Sequence, residues 1–225
     1  MPTLYIGNRN YSSWSLRPWL ALKWAKVPFD EVVIPLGGPG YGKSQIPEIL
    51  AVSPSGRVPA LELHGTTIWD SLAIAEWAAE QPNAGLLPSD PLARAVCRSA
   101  VAEMHSGFPA VRRDLSMNLR RRTRATGLPA DTLTDIHRIT ELWSDLREKY
   151  GGSGPWLFGQ RSLADAFYAP VVTRFRSYGI DLPEVCASYS QALFGDPDFR
   201  AWEAGAEAET WTIESADALF TEPTP

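Results

Sequence analysis

A chain of 225 residues, 44% hydrophobic and 21% charged, has the balance of a globular protein and the length for one large domain or two small ones. Its net charge of −5 gives no general attraction to nucleic acid or to an anionic membrane, and no apolar run reaches the roughly 20 residues that span a bilayer. Two cysteines, Cys97 and Cys186, show neither C-x-x-C nor zinc-like spacing; both read as reduced, apolar helix residues, and no metal is expected. "MPTLYIGNRN" lacks a basic segment leading into an apolar one, so no secretory signal is expected and the setting reads as cytoplasmic.

Along the chain, "TLYIG" is strand-like and "SSWSLRPWLALKWAKV" then switches to helical spacing, with Leu16, Trp19, Leu20, Trp24 and Val27 on one face. "FDEVVIP" reads as a second strand and "SQIPEILAVSP" as a short helix ended by Pro54. "VPALEL" and "TTIWD" are β-rich runs joined by His64-Gly65, a two-residue hairpin, and "SLAIAEWAAEQ" is a helix that stops before Pro82. The order is β-α-β-α-β-β-α over residues 1–81. "QPNAGLLPSDP" is a Pro/Gly/Asn-rich connector, placing a linker at 82–90. From 91 to 225 only helical patterns follow: "PLARAVCRSAVAEMHSGFPAVRRDLSMNLRRR", "DTLTDIHRITELWSDLREKY", "SLADAFYAPVVTRFRSYGI" and "DPDFRAWEAGAEAETW".

"LGGPGYGKSQ" contains G-x-x-x-x-G-K-S, the phosphate-cradling pattern of nucleotide-binding loops. A nucleotide site of that kind needs a parallel sheet of several strands and a further acidic strand end for Mg²⁺. Here the strands end near residue 70 and the last two form a hairpin, so the stretch reads as a β-to-α connection whose glycines permit positive φ. The run Arg120, Arg121, Arg122, Arg124, in an acidic chain and without interleaved aromatics, reads as a solvated helix end.

Three features carry candidate chemistry. Ser12 and Ser13 lie where the first strand meets the first helix, and a helix N-terminus favours an anion such as a thiolate; the alternative is plain helix capping. Val58-Pro59 enters a strand, where a cis bond would turn the Val58 backbone outward to pair with an extended peptide; the alternative is a trans proline on an edge strand. Asp70 and Ser71 sit at a strand-to-helix junction suited to a carboxylate and an ammonium, or again to capping.

With these three in this order, the sequence resembles the glutathione S-transferase superfamily over nearly its whole length, and "SSWSLRPWLALK" is most similar to its serine-type, zeta-like branch, whose members read S-S-C-S-x-R. The resemblance implies a thioredoxin-like N-terminal domain and a helical-bundle domain, glutathione as co-substrate, a homodimer, and a small-molecule electrophile as second substrate. It implies Ser12 as thiol activator with Ser13 as fallback, Asp70 and Ser71 holding the γ-glutamyl end, Val58-Pro59 the cysteinyl backbone, and Arg57 or Lys43 the glycine carboxylate. Arg17 matches the motif arginine. Ser162 and Asp165 match the superfamily's capping box, read as structural, and Pro170 in the same helix predicts a kink.

Between the two halves the electrophile pocket is expected around Trp14, Met104, His105, Phe108 and Arg112, with His105 read as packing rather than as a base. Trp14 stands where zeta members have cysteine. This departure counts against glutathione-disulfide exchange and weakens cis-trans isomerisation of maleylacetoacetate, which becomes the second reading behind conjugation. A non-catalytic binding module on the same fold is the alternative from another class.

Overall fold

The computed structural model describes residues 1–218. Strand β1 (Thr3–Ile6) pairs parallel with β2 (Asp30–Val33) and antiparallel with β3 (Ala60–Leu63), and β4 (Thr66–Trp69) completes the sheet in the order β2-β1-β3-β4. Side chains alternate across β1: Leu4 and Ile6 enter the main core, whereas Tyr5 faces a smaller cluster around Ile34, Ile46 and Ile49. Helices α1 (Ser13–Trp24) and α3 (Ser71–Ala79) pack against each other in the main core, and the short α2 (Pro47–Leu50) contributes Ile49 to the smaller cluster. The β-α-β-α-β-β-α order is the one the spacing predicts.

Beyond Trp69 the described residues hold helices and only isolated bridges. These helices are α4 (Pro91–Ser106), α5 (Pro109–Asp114), α6 (Ala130–Tyr150), α7 (Leu163–Ser177), α8 (Glu184–Phe194), α9 (Pro197–Ala208) and α10 (Glu214–Asp217). The helical region anticipated over 91–225 thus includes 219–225, which lie outside the described residues. Helix α7 is buried nearly all round and packs on α1, α4 and α8, joining the two halves through one core. It continues through Pro170 to Ser177.

Its first turn carries the anticipated capping box. The Ser162 backbone N–H and hydroxyl both donate to the Asp165 carboxylate, at 2.8 and 2.7 Å, and Leu157 N–H adds a third bond at 3.1 Å. Burial pushes the Asp165 carboxyl up to about 6, against the opposing pull of those hydrogen bonds. Ser162→Ala is therefore expected to lower unfolding free energy by about 1 kcal/mol with unchanged turnover, as read by urea denaturation beside an activity assay.

Two expectations are corrected. The long pattern from Pro91 to Arg122 is not one helix: it breaks at Gly107–Phe108, with Phe108 in the left-handed region (φ 57°), because Pro109 cannot continue an α-helical ladder. Helix α5 is capped from a distance, its Ala110 and Val111 N–H groups donating to Asp135 of α6 at 3.0 and 3.1 Å. The arginine run is not a solvated helix end either. It follows α5 in irregular structure, where Arg120 donates to the backbone oxygens of Glu209 (2.6 Å) and Trp211 (3.0 Å), Arg121 donates to that of Asp217, and Arg124 pairs with Asp181 at 2.7 Å.

The nucleotide-loop pattern resolves into turns. Gly37, Gly40 and Gly42 all have positive φ (97°, 87° and 77°), and a Cβ at Gly40 would lie 2.5 Å from the Gln45 carbonyl oxygen. No helix starts at Lys43-Ser44, so the backbone N–H array that cradles phosphate is not built there.

Candidate active site

Ser12 is the N-cap of α1: its hydroxyl oxygen accepts from Ser15 N–H at 3.3 Å and its hydroxyl donates to Ser15 Oγ at 2.8 Å. Ser15 Oγ in turn accepts from Gly7 N–H at 3.1 Å, which ties the helix start to the end of β1. Ser13 lies in the first turn and is buried. Of the two readings left open for the Val58-Pro59 bond, the structure has the cis one. Asp70 caps α3, accepting from Leu72 N–H at 2.7 Å, with φ at +75°. Capping and site-building are thus not alternatives here, since each capping residue also borders open space.

That space consists of two adjoining cavities. One, of about 240 Å³, is lined by Trp14, Arg57, Val58, Pro59, Asp70 and Ser71 together with Ser55 and Trp69. The second, of about 320 Å³, is lined by Ser12, Tyr11, Tyr41, Ser44 and the apolar Leu36, Ile46 and Ile49, and shares Trp14, Arg57 and Val58 with the first. Ser71 Oγ is buried and has no hydrogen-bond partner among the described residues. The structure therefore brings together Ser12, Trp14, Arg57, Val58, Pro59, Asp70 and Ser71. Ser13 and the exposed Lys43 line neither cavity, and Ser44 is the loop residue that meets Arg57, accepting from its Nε at 3.0 Å.

The pocket expected from α4 and α5 takes another form. Met104 and Phe108 are core residues, and neither they nor His105 and Arg112 line the two cavities. Arg112 turns back on its own chain, donating to Gly107 O at 2.9 Å and to Met104 O, and its guanidinium lies 4.8 Å from the Trp14 ring. His105 meets Trp14 edge-on (5.5 Å between centroids), with Nε2 3.6 Å from Asp70 Oδ2. Burial holds the His105 imidazole below its usual range, with Arg17 and Arg112 adding to the effect and Asp70 opposing it. The His105 ring packs edge-on to Trp14 and tilted to Phe167.

Arg17 is the least expected feature. It is fully buried, its guanidinium sits 4.4 Å from the Trp14 ring and 5.2 Å from that of Phe167, and none of its three nitrogens has a hydrogen-bond partner among the described residues. Desolvation first, then Arg112 and Arg174, push its pKa well below the ordinary arginine value. The Tyr168 hydroxyl and His105 Nδ1 are also buried and unpartnered there. Ser15 and Tyr11 were likewise not among the expected site residues. Ser15 Oγ accepts from the Ser12 hydroxyl, a contact that no spacing rule in the sequence announces.

Neither protein thiol is suited to react. Burial pushes Cys97 up to about 12 and raises Cys186 as well. Among the described residues no cluster of His, Cys, Asp or Glu is placed to hold a metal ion, and no helix is long and apolar enough to cross a membrane.

Comparison with known proteins adds an independent line. The family described as "Glutathione S-transferase, N-terminal domain" matches residues 11–81. Maleylacetoacetate isomerase of Pseudomonas aeruginosa is 31% identical over 184 residues, covering 80% of this chain and 84% of that protein. The Rattus norvegicus maleylacetoacetate isomerase is 32% identical over 183 residues, covering 80% and 81%. Among solved structures, a glutathione transferase homologue from Sulfitobacter with bound glutathione superposes with TM-score 0.65 at 25% identity, covering 91% of this chain and 97% of that one. A zeta-class maleyl pyruvate isomerase shares the fold at TM-score 0.70 and 22% identity, covering 93% and 100%.

Proposed function

Because the chain belongs to the glutathione S-transferase superfamily, we propose that it binds glutathione across the two cavities, converts the thiol to a thiolate at Ser12, and presents it to a small electrophile. The observation that carries this reading is the Ser12 hydroxyl at the N-terminus of α1, bordering the same open space as Val58-Pro59 and Asp70-Ser71. A free thiol of the cysteine type has a pKa near 8–9 and is mostly protonated at neutral pH. A hydroxyl donated to sulfur and the positive end of the helix both favour the charged form. Ser15 gives the chain a relay: its hydroxyl can turn to donate to Ser12 Oγ, freeing the Ser12 proton for the sulfur. Ser12 is then a hydrogen-bond donor and not the nucleophile.

The unpartnered Ser71 hydroxyl and the Asp70 carboxylate suit the α-carboxylate and ammonium of the γ-glutamyl end; the Val58 backbone suits the cysteinyl unit and Arg57 the glycine carboxylate. Ser71→Ala is expected to weaken glutathione binding about tenfold or more by calorimetry, while the pKa of the bound thiol stays as in wild type. The electrophile meets the sulfur beside Tyr11 and Trp14.

A second reading, glutathione-dependent isomerisation, is favoured by two observations: the 31–32% identical relatives are maleylacetoacetate isomerases, and the Arg17 guanidinium is unpartnered among the described residues. A thiolate that adds to a conjugated double bond pushes its electron pair toward the carbonyl, leaves a single bond free to rotate, and departs when the pair returns. An anionic substrate group that moves the Trp14 indole aside would find in Arg17 a cation with no other acceptor. Consumption of glutathione decides between the readings: conjugation uses one molecule per turnover, isomerisation none. The attacking sulfur is glutathione's, so a tryptophan at position 14 does not remove the nucleophile; it bears on the isomerase reading through its cover of Arg17.

The same reading extends to a homodimer in the cytoplasm. Sedimentation giving a single-chain mass would refute the dimer.

A further inference from the structure

The turn that carries Ser12 has few bonds of its own. Tyr11 and Ser12 N–H groups both donate to Asn8 O, at 3.1 and 2.8 Å, and Ser13 N–H reaches Tyr11 O at 3.0 Å. Nearly everything else that fixes Arg9, Asn10 and Tyr11 comes from the other end of the chain or from the stretch after α5. The carboxylate of Glu209, 200 residues away and itself buried, accepts from Arg9 N–H at 2.8 Å and from Asn10 N–H at 3.2 Å, one oxygen to each. Trp202 Nε1 donates to Arg9 O at 3.1 Å and Leu119 N–H to Asn10 O at 3.2 Å. The Tyr11 hydroxyl donates to Asp217 at 2.8 Å, and Arg120 holds the segment in place through the backbone oxygens of Glu209 and Trp211.

We infer that Glu209 is a positioning residue for the thiol site: its two-pronged hold on the Arg9-Asn10 backbone sets where the Ser12 hydroxyl points. This rests on the reading of Ser12 as thiol activator. A carboxylate is suited to the task, since it offers two acceptors to two successive N–H groups. These amides face a buried site where no other described group accepts from them, so losing the carboxylate leaves them unsatisfied and lets the turn shift. Displacements of the order of 1 Å at a reacting centre reduce rates by about a hundredfold, so even a partial shift is measurable. Asp217 extends the hold to Tyr11, one residue before Ser12.

The test uses Glu209→Gln, which keeps the shape and one acceptor but places an NH₂ against a backbone N–H. Thiolate ultraviolet absorbance against pH gives the pKa of bound glutathione, calorimetry its affinity, and steady-state kinetics kcat and KM. The expected result is a bound-thiol pKa raised toward that of free glutathione and kcat lowered about tenfold or more, with glutathione affinity within about twofold of wild type. A variant that loses stability but keeps the wild-type thiol pKa and kcat would overturn the proposal and leave Glu209 a structural residue. Should Glu209→Gln fail to fold, Glu209→Asp, which keeps the carboxylate on a shorter stem, carries the same comparison with the same two outcomes. A wild-type protein that binds no glutathione, or leaves its thiol pKa at the free value, refutes the thiol reading itself and is recognised before any variant is compared.

Discussion

Replacing Arg17 with methionine is expected to make the protein more stable and, toward an anionic electrophile, far less active. A buried charge without hydrogen-bonded partners costs several kcal/mol, and the stacking of its guanidinium on Trp14 and Phe167 returns about 0.5–2 kcal/mol per contact. The desolvation cost is the larger quantity; nearby Arg112 and Arg174 add repulsion to it, and Asp70 opposes them with a smaller attraction. Methionine has a similar length, fills the same space and needs no acceptor, so Arg17→Met is expected to gain about 1–3 kcal/mol in urea denaturation. In kinetics, kcat/KM for a carboxylate-bearing electrophile is expected to fall about a hundredfold, while that for a neutral electrophile changes little. A loss of stability with equal effects on both substrates would make Arg17 a packing residue and remove the chief structural support for the isomerase reading.

Ser12→Ala carries the second large effect. A hydrogen bond to a charged partner contributes about 1.5–3 kcal/mol, so losing the donor raises the bound thiol's pKa by about one to two pH units. At neutral pH this removes most of the thiolate, and kcat falls about 10- to 100-fold. The sign of the pH dependence follows: because the donor stabilises the charged form, the variant regains activity as pH rises toward the pKa of free glutathione, and the difference from wild type narrows there. Glutathione affinity changes little, since Arg57, Val58, Asp70 and Ser71 are untouched. Ser13→Ala, at a residue that lines neither cavity, leaves the profile as in wild type.

The features that were legible in the sequence share a short range. The strand-like run at β1, the His64-Gly65 hairpin, and the Ser162-Asp165 box each depend on residues a few positions apart, and each has its expected form. At Val58-Pro59 the sequence permitted a cis bond without deciding it, since a trans proline fits the start of an edge strand equally well. What was not legible is set by partners distant in sequence. Nothing near Asn10 announces that Glu209 and Asn118 will hold it, and nothing in the arginine run announces the C-terminal carbonyls it binds. The pattern around Met104 and Phe108 fits a pocket wall and a core face equally well; burial by α7 and the break at Pro109 decide for the core. Arg17 was visible as a motif residue, but only packing shows that its charge is left without an acceptor.

The most direct test of the account is a pH titration of glutathione bound to the wild-type protein, following thiolate ultraviolet absorbance beside Ser12→Ala and Ser13→Ala. The expected result is a bound-thiol pKa clearly below that of free glutathione in wild type and in Ser13→Ala, and one returned toward the free value in Ser12→Ala. A bound thiol that titrates as it does in free solution, or that is equally acidified in Ser12→Ala, would contradict it.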